Sequence, residues 1–182
     1  MKGKIGIINT RQYFDPETST YTYLLFDAVK KQAVIIDPVM EQMDRDLSTI
    51  EKLNLDLLGI LETHVHADHI TAAYKIRKKI GVAIYYGSES GVNGADVLLK
   101  DGDRIQVGKF DIKTIHTPGH TAGCVCYYSC GMLFTGDTLF IGGTGRTDFQ
   151  GGSAGLLYDS VVKKLFFYPD NTIGYPAHDY LG

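Results

Sequence analysis

Six histidines are spread over this 182-residue chain, and three of them crowd into six positions. His64, His66 and His69 lie in the stretch ETHVHADHI, with Asp68 among them. A lone histidine is most often a hydrogen-bonded structural residue. Three imidazoles and a carboxylate this close together are costly to desolvate, and they repel one another when protonated. A bound metal ion removes both costs. Nitrogen and oxygen donors of this kind suit zinc, iron or manganese better than a soft sulfur-ligated site. If the backbone is extended at His64 and His66, both side chains face the same side. Asp68 could cap a helix that starts there, orient a ligand, or bind metal itself. The other histidines, His116, His120 and His178, also close apolar, strand-like runs. His120 and Asp137 follow turn signals, TPGH and TGD, so a cleft at one sheet edge could gather them all.

Two other stretches carry weaker signals. Cys124 and Cys126 would share one face of an alternating strand and read as core thiols. With Cys130 they lack a visible fourth soft ligand for a zinc knuckle. GGTGRTDFQGG is rich in glycine but has neither the phosphate-loop order nor the dinucleotide pattern. It reads as a conformationally demanding loop that sets Arg146 and Asp148 beside the cleft, with Arg146 paired to a carboxylate.

The elements that must position these groups can be read from periodicity. KIGIIN, YTYLLFD and QAVIIDP are strand candidates, the last two joined by a hairpin-length link. MEQMDRDLSTIEKLN has helical spacing at Met43, Leu47, Ile50 and Leu53. LLGILETH is a buried strand running into the histidines. ITAAYKIRKKIG is helical, with Ile70, Ala73, Ile76 and Ile80 on its stripe and Gly81 as a stop. VAIYYG returns to strand, so this middle region suggests a covered parallel or mixed sheet. RIQVGKFDIKTIHTP, GCVCYYSCGMLFTGD and TIGYPAHD are later strands. SAGLLYDSVVKKLFFYP is the main later helix, with Leu156, Val161 and Leu165 facing a sheet. No repeat or linker divides the chain, and a single domain over 1–182 is expected.

Composition bounds the partners. Eighteen Lys and Arg stand against 21 Asp and Glu, for a formal charge of -3. That balance gives no phosphate-tracking surface, so nucleic acid is not expected. No segment has the length and apolarity of a spanning helix, so no membrane partner is expected. The odd cysteine count and the absence of a recognisable leader favour reduced thiols and a cytoplasmic setting.

THVHADH, HTPGHTAG, FTGDTLF and YPAHDY, taken together and in this order, resemble the metallo-β-lactamase superfamily across nearly the whole chain. ETHVHADHITAA, GTGRTDFQGG and YPAHDY are most similar to its persulfide dioxygenase, or ETHE-like, branch. The resemblance implies an α+β fold, an αββα sandwich of two mixed sheets flanked by helices, with metal in a cleft at one sheet edge. It further implies one Fe(2+) per chain, held by His64, His120 and Asp137. His66, Asp68, His69 and His178 match positions that hold metal in dinuclear relatives, and in this branch they are implied to surround the site. Arg146 and Tyr180 are the implied substrate-pocket residues. Two imidazoles and one carboxylate on one face leave three open positions on an octahedral iron, enough for a persulfide sulfur and O2. The implied reaction oxidises glutathione persulfide, or a similar small persulfide, to sulfite and thiol. The chain departs from the branch in two places. It ends at YPAHDYLG, where the family continues into a helical tail, and it has Thr144 where cysteine is common. A homo-oligomer is compatible with this reading.

Two competing readings remain at this point. A zinc thioester hydrolase of the hydroxyacylglutathione hydrolase type would bind one metal by His64, His66 and His120 and a second by Asp68, His69 and His178, bridged by Asp137. A non-catalytic truncated interaction module would follow from an incomplete substrate pocket.

Overall fold

The computed structural model describes residues 8–180. Eleven strands and three α-helices are described, in the order β1 (Ile8–Asp15), β2 (Thr20–Asp27), β3 (Gln32–Ile36), α1 (Met43–Lys52), β4 (Asp56–Leu61), α2 (Ala73–Ile80), β5 (Ala83–Gly87), β6 (Val97–Leu99), β7 (Arg104–Val107), β8 (Phe110–His116), β9 (Val125–Ser129), β10 (Met132–Gly136), α3 (Ala154–Lys163) and β11 (Ile173–Pro176). They form a six-stranded sheet ordered β1-β2-β3-β4-β5-β6 and a five-stranded sheet ordered β11-β10-β9-β8-β7. Both are mixed. β1 to β3 are antiparallel neighbours and β3 to β6 are parallel. In the second sheet only the β10–β11 pair is parallel.

Side-chain alternation explains the layering. Tyr23 and Leu25 of β2 face the other sheet and pack with Val34, Ile36, Phe134 and Tyr127. Leu24 and Phe26, one residue out of phase, face outward and pack with Ile35, Ile60, and Ile50 and Ile76 from α1 and α2. A third, smaller cluster puts Leu165 over Ile115, Cys126 and Leu133 on the outside of the second sheet. Apolar residues on both faces of β2 and β3 are what a covered sheet requires. The result is the expected αββα sandwich.

Several local expectations need correction. Lys4–Ile7 of the KIGIIN candidate lie outside the described residues. β1 runs on through Arg11 to Asp15, because its outer positions can be polar on an edge strand. α2 begins at Ala73, not at Ile70, and neither Asp68 nor His69 is in a helix. Asp68 does not cap it; Thr71 Oγ1 accepts a hydrogen bond from Ala73 N instead. Ile70 is 67% exposed and Ile80 44%, so the buried stripe is Ala73 and Ile76. On α3, Leu157 is buried and Leu156 is not. β6 carries too short an apolar run to have been read from sequence.

Candidate metal centre

The chain leaves the C-terminal ends of β4, β8, β10 and β11 at one edge of the sandwich. Each exit delivers a piece of the site: Glu62 to His69, then His120, Asp137 and His178. Two close approaches fix these turns. Gly119 (φ +150°) lies against the Leu157 backbone, where a Cβ would sit 2.3 Å from Leu157 Cα. Gly136 (φ +52°) lies against Thr63, where a Cβ would sit 2.6 Å from Thr63 Oγ1. The Val125 N–H donates to Thr63 O at 2.8 Å, and the Tyr127 hydroxyl donates to Glu62 O at 2.8 Å. The histidine-bearing loop is thereby tied to the second sheet.

One ligand atom each from His64, His120 and Asp137 come within 4.8 Å of one another, and all three residues are buried. Asp137 Oδ2 lies 3.8 Å from His64 Nε2 and 3.4 Å from His120 Nε2. A first-row metal about 2.1 Å from each donor holds neighbouring donors ~3 Å apart, so only a small closure is needed. The outer ring nitrogens are already engaged. His120 Nδ1 donates to Arg146 O at 2.7 Å. Thr63 Oγ1 donates to Asp37 Oδ2 at 2.7 Å, which leaves that oxygen to accept from His64 Nδ1 at 3.0 Å. Both bonds select the tautomer whose Nε2 lone pair faces Asp137.

The electrostatics suit a cation. Burial pushes the His64 imidazole well below its ordinary range, and burial also lowers His120, so both are neutral donors near pH 7. Burial raises the Asp137 carboxyl to about 7, and Asp137 Oδ1 is a buried oxygen without a hydrogen-bond partner. A buried carboxylate of this kind needs positive charge beside it. The residues present therefore fit a metal ion, and the centre is mononuclear, held by a His/His/Asp cluster.

The remaining histidines are placed differently. His66 points Nε2 at Asp37 Oδ1 and Glu62 Oε2, each at 3.2 Å. Burial alone would lower its pKa, but those two carboxylates hold it well above the ordinary range. His66 groups with Asp68 and His69 as a separate donor cluster, not with the first three. His69 Nδ1 is 2.8 Å from Asp68 Oδ2. His178 donates from Nδ1 to Ser19 O at 3.1 Å and turns Nε2 toward Asp68 Oδ2 and Asp137 Oδ1, 3.5 Å from each. His116 bonds Ala122 O instead and stays out of the centre.

Asp37, Glu62 and Thr63 went unread in the sequence although they support the imidazoles. Burial raises Glu62; for Asp37 burial is outweighed by His66 and the two Thr63 donors, which bring it below its ordinary value. Asp37 stands at φ +48°, a left-handed conformation that turns the chain after β3. The available signal was position: IIDP ends a buried strand, and Glu62 and Thr63 immediately precede the cluster.

A cavity of about 420 Å³ opens onto the centre, lined by Asp68, His120, Asp137, His178, Arg146 and Tyr180, with Phe140 and Phe149 at its sides. Both pocket residues expected from sequence are therefore on its wall. Arg146 makes the expected carboxylate pair, donating from Nε and Nη2 to Asp148 at 2.7 and 2.9 Å. Cys124 and Cys126 are buried, and burial raises their thiols to about 11 and about 12, so they are structural. Cys124 Sγ accepts from Thr121 N at 3.3 Å and so braces the turn that carries His120.

The fold and the metal-binding edge define a class, and the chain belongs to the metallo-β-lactamase superfamily, whose sequence model matches residues 15–178. Within it, similarity concentrates on the ETHE1 branch. The mitochondrial persulfide dioxygenase ETHE1 of Bos taurus is 48% identical over 175 residues, covering 94% of this chain and 68% of the relative. The Mus musculus protein of the same name is 47% identical with the same coverage. The crystal structure of ETHE1 from Myxococcus xanthus superposes with a TM-score of 0.93 at 46% identity, over 96% of this chain and 77% of that one. These relatives correct one expectation. The named mammalian proteins are mitochondrial, which overturns the cytoplasmic setting inferred from the thiols. Reduced cysteines report a reducing compartment and do not single out the cytoplasm.

Proposed function

We propose that the chain is a persulfide dioxygenase that uses one ferrous ion, held by His64 Nε2, His120 Nε2 and the Asp137 carboxylate. The observation that carries this reading is the three-donor cluster itself, because two of its residues, His120 and Asp137, line the cavity where a substrate would reach a bound metal. The reaction is RSSH + O2 + H2O → RSH + SO3²⁻ + 2H⁺, with RSSH a small persulfide such as glutathione persulfide. The outer sulfur is oxidised and dioxygen is reduced; both of its atoms, with one from water, end in sulfite.

Bound ferrous iron supplies open coordination positions and the electrons through which dioxygen reacts. The protein groups do the rest. His64 and His120 stay neutral and keep their lone pairs inward, because their Nδ1 protons are held by Thr63 and Arg146 O. Asp137 supplies one negative charge. Asp68 remains ionised: although burial opposes it, the hydrogen bond from His69 holds its carboxyl far below the ordinary range. With His178 it lines the cavity, placed to orient the water that releases sulfite from the oxidised sulfur. No residue acts as a covalent nucleophile.

The dinuclear hydrolase reading requires a His66 nitrogen in the same donor group as His64 and His120; the His66 ring lies 4.1 Å from that of His64, but its nitrogens group with Asp68 and His69 and with Asp37 and Glu62 instead. The test is purification under nitrogen, metal analysis, and oxygen uptake with glutathione persulfide. One iron per chain with sulfite equal to oxygen consumed is the expected result. Two zincs, no oxygen uptake and thioester cleavage would refute it. Asp137→Ala should lose the iron; retained iron would remove Asp137 from the ligand set.

A further inference from the structure

α3 presents one face to the turn that carries His120. Ser153, Leu157, Ser160 and Lys164 follow one another at helical spacing and so share that face. Ser160 is 2% exposed, and a buried hydroxyl on an apolar helix needs a partner. It donates to Pro118 O at 2.7 Å. On either side of it, the Ser153 N–H donates to Gly119 O at 2.7 Å and Lys164 Nζ donates to His116 O at 2.5 Å. Leu157 packs its backbone against Gly119. Three carbonyls of the turn therefore end on one face of one helix.

The N–H groups of the same turn go elsewhere. His116 N donates to Asp101 Oδ1 at 2.7 Å, Thr117 N to Cys124 O and Gly119 N to Thr121 O, and Pro118 has none. The Thr117 hydroxyl shares a 2.9 Å bond with that of Thr138, the neighbour of Asp137. The turn is thus set against the Asp137 segment on one side and against α3 on the other. The bond from His120 Nδ1 to Arg146 O orients the ring, but α3 holds the main chain from which the ring projects. A ligand side chain has to be held within about 0.5 Å of its productive place.

We propose that Ser160 is a positioning residue for the metal ligand His120, acting through the Pro118 carbonyl, with Lys164 as a second anchor through the His116 carbonyl. This deepens the persulfide dioxygenase reading and rests on its iron site. Ser160 acts on the placement of a ligand and touches neither metal nor substrate.

The test is Ser160→Ala on the full chain. Alanine is the better helix former, so the change removes the bond to the turn without weakening α3 itself. Ferrous iron affinity, measured under nitrogen against a chelator, should fall about tenfold, as it does when a group supporting a ligand is lost. The ring-nitrogen resonances of His120 should shift in the metal-free protein. Val161→Ala is the control: Val161 is buried on the same helix and its side chain has no polar atom to offer the turn, so it should lower Tm and leave both readouts as in wild type. Iron affinity within twofold of wild type in Ser160→Ala, unmoved His120 resonances, or the same changes in Val161→Ala would overturn the proposal. If Ser160→Ala does not fold, Lys164→Met, at a partly exposed position, should move the His120 resonances in its place, and unmoved resonances there would overturn it. If the wild-type chain binds no iron, the functional reading fails and the His120 resonances alone decide: a shift in Ser160→Ala absent from Val161→Ala supports the positioning role, and no shift refutes it.

Discussion

Replacing Thr63 by valine isolates the support beneath one iron donor. Valine has nearly the shape of threonine, so the change removes a hydroxyl and little volume. Three bonds meet at this residue. Its N–H donates to Asp37 Oδ1 at 2.8 Å and survives the substitution. Its hydroxyl donates to Asp37 Oδ2 at 2.7 Å and accepts from His64 Nδ1 at 3.0 Å, and both bonds are lost. His64 is 1% exposed, so water does not replace the lost acceptor. Leaving one buried donor unsatisfied costs about 1–3 kcal/mol. Because that donor also fixes the His64 tautomer, about 1.4–2.7 kcal/mol should fall on metal binding, which is about 10- to 100-fold in affinity. The assay is anaerobic competition for ferrous iron against a chelator, on wild type, Thr63→Val and Thr63→Ser. Serine keeps the hydroxyl and should restore affinity to within a few-fold. Iron affinity in Thr63→Val within twofold of wild type would refute the argument that this hydroxyl orients His64.

Three further outcomes test other parts of the account. Gly136→Ala imposes a left-handed conformation on alanine and drives its Cβ into Thr63, so it should lower stability by about 2 kcal/mol or more and loosen iron as well, read by denaturant unfolding and metal retention. Asp46 is buried, and burial raises its carboxyl to about 6 in the fold against 3.8 when free. The folded state thus holds the proton more tightly, and stability from this group falls as pH rises from about 4 to 6. Asp46→Asn should therefore gain about 1–2 kcal/mol above pH 6 and nothing below pH 4, after losing the Arg45 contact; a gain that does not change between pH 4 and 7 would contradict the sign. Native-state alkylation should label Cys130 alone, with Cys124 and Cys126 reacting only on unfolding, as counted by mass spectrometry.

Side-chain pattern made a covered sheet legible, because β2 carries apolar residues on both faces; the αββα sandwich itself came from the resemblance to the superfamily. That a metal sits at this edge was legible from imidazoles clustered at a strand end and from His120 and Asp137 following recognisable turns; the choice of His64, His120 and Asp137 over a two-metal set came from the resemblance alone. What escaped was decided by tertiary packing. Ile70 sits at an apolar position of a helical pattern, yet the chain needs residues 62–72 as a loop to present the donors, and the helix starts late. Asp37 and Glu62 look like ordinary acidic residues at strand ends until β3 and β4 lie side by side and turn both toward His66. Leu157 and Leu156 cannot be told apart without knowing that Gly119 packs on α3. His66 shows the limit most directly: its spacing matches a ligand, and only the position of two buried carboxylates sets it apart.

The central claim is that one iron is bound by three residues drawn from three distant segments. Anomalous diffraction at the iron edge, on crystals of the protein loaded anaerobically with ferrous iron, tests it most directly. The account predicts a single peak within about 2.3 Å of His64 Nε2, His120 Nε2 and an Asp137 oxygen, with His66 still turned toward Asp37 and Glu62. Two peaks, or one peak bound by His66, would contradict it.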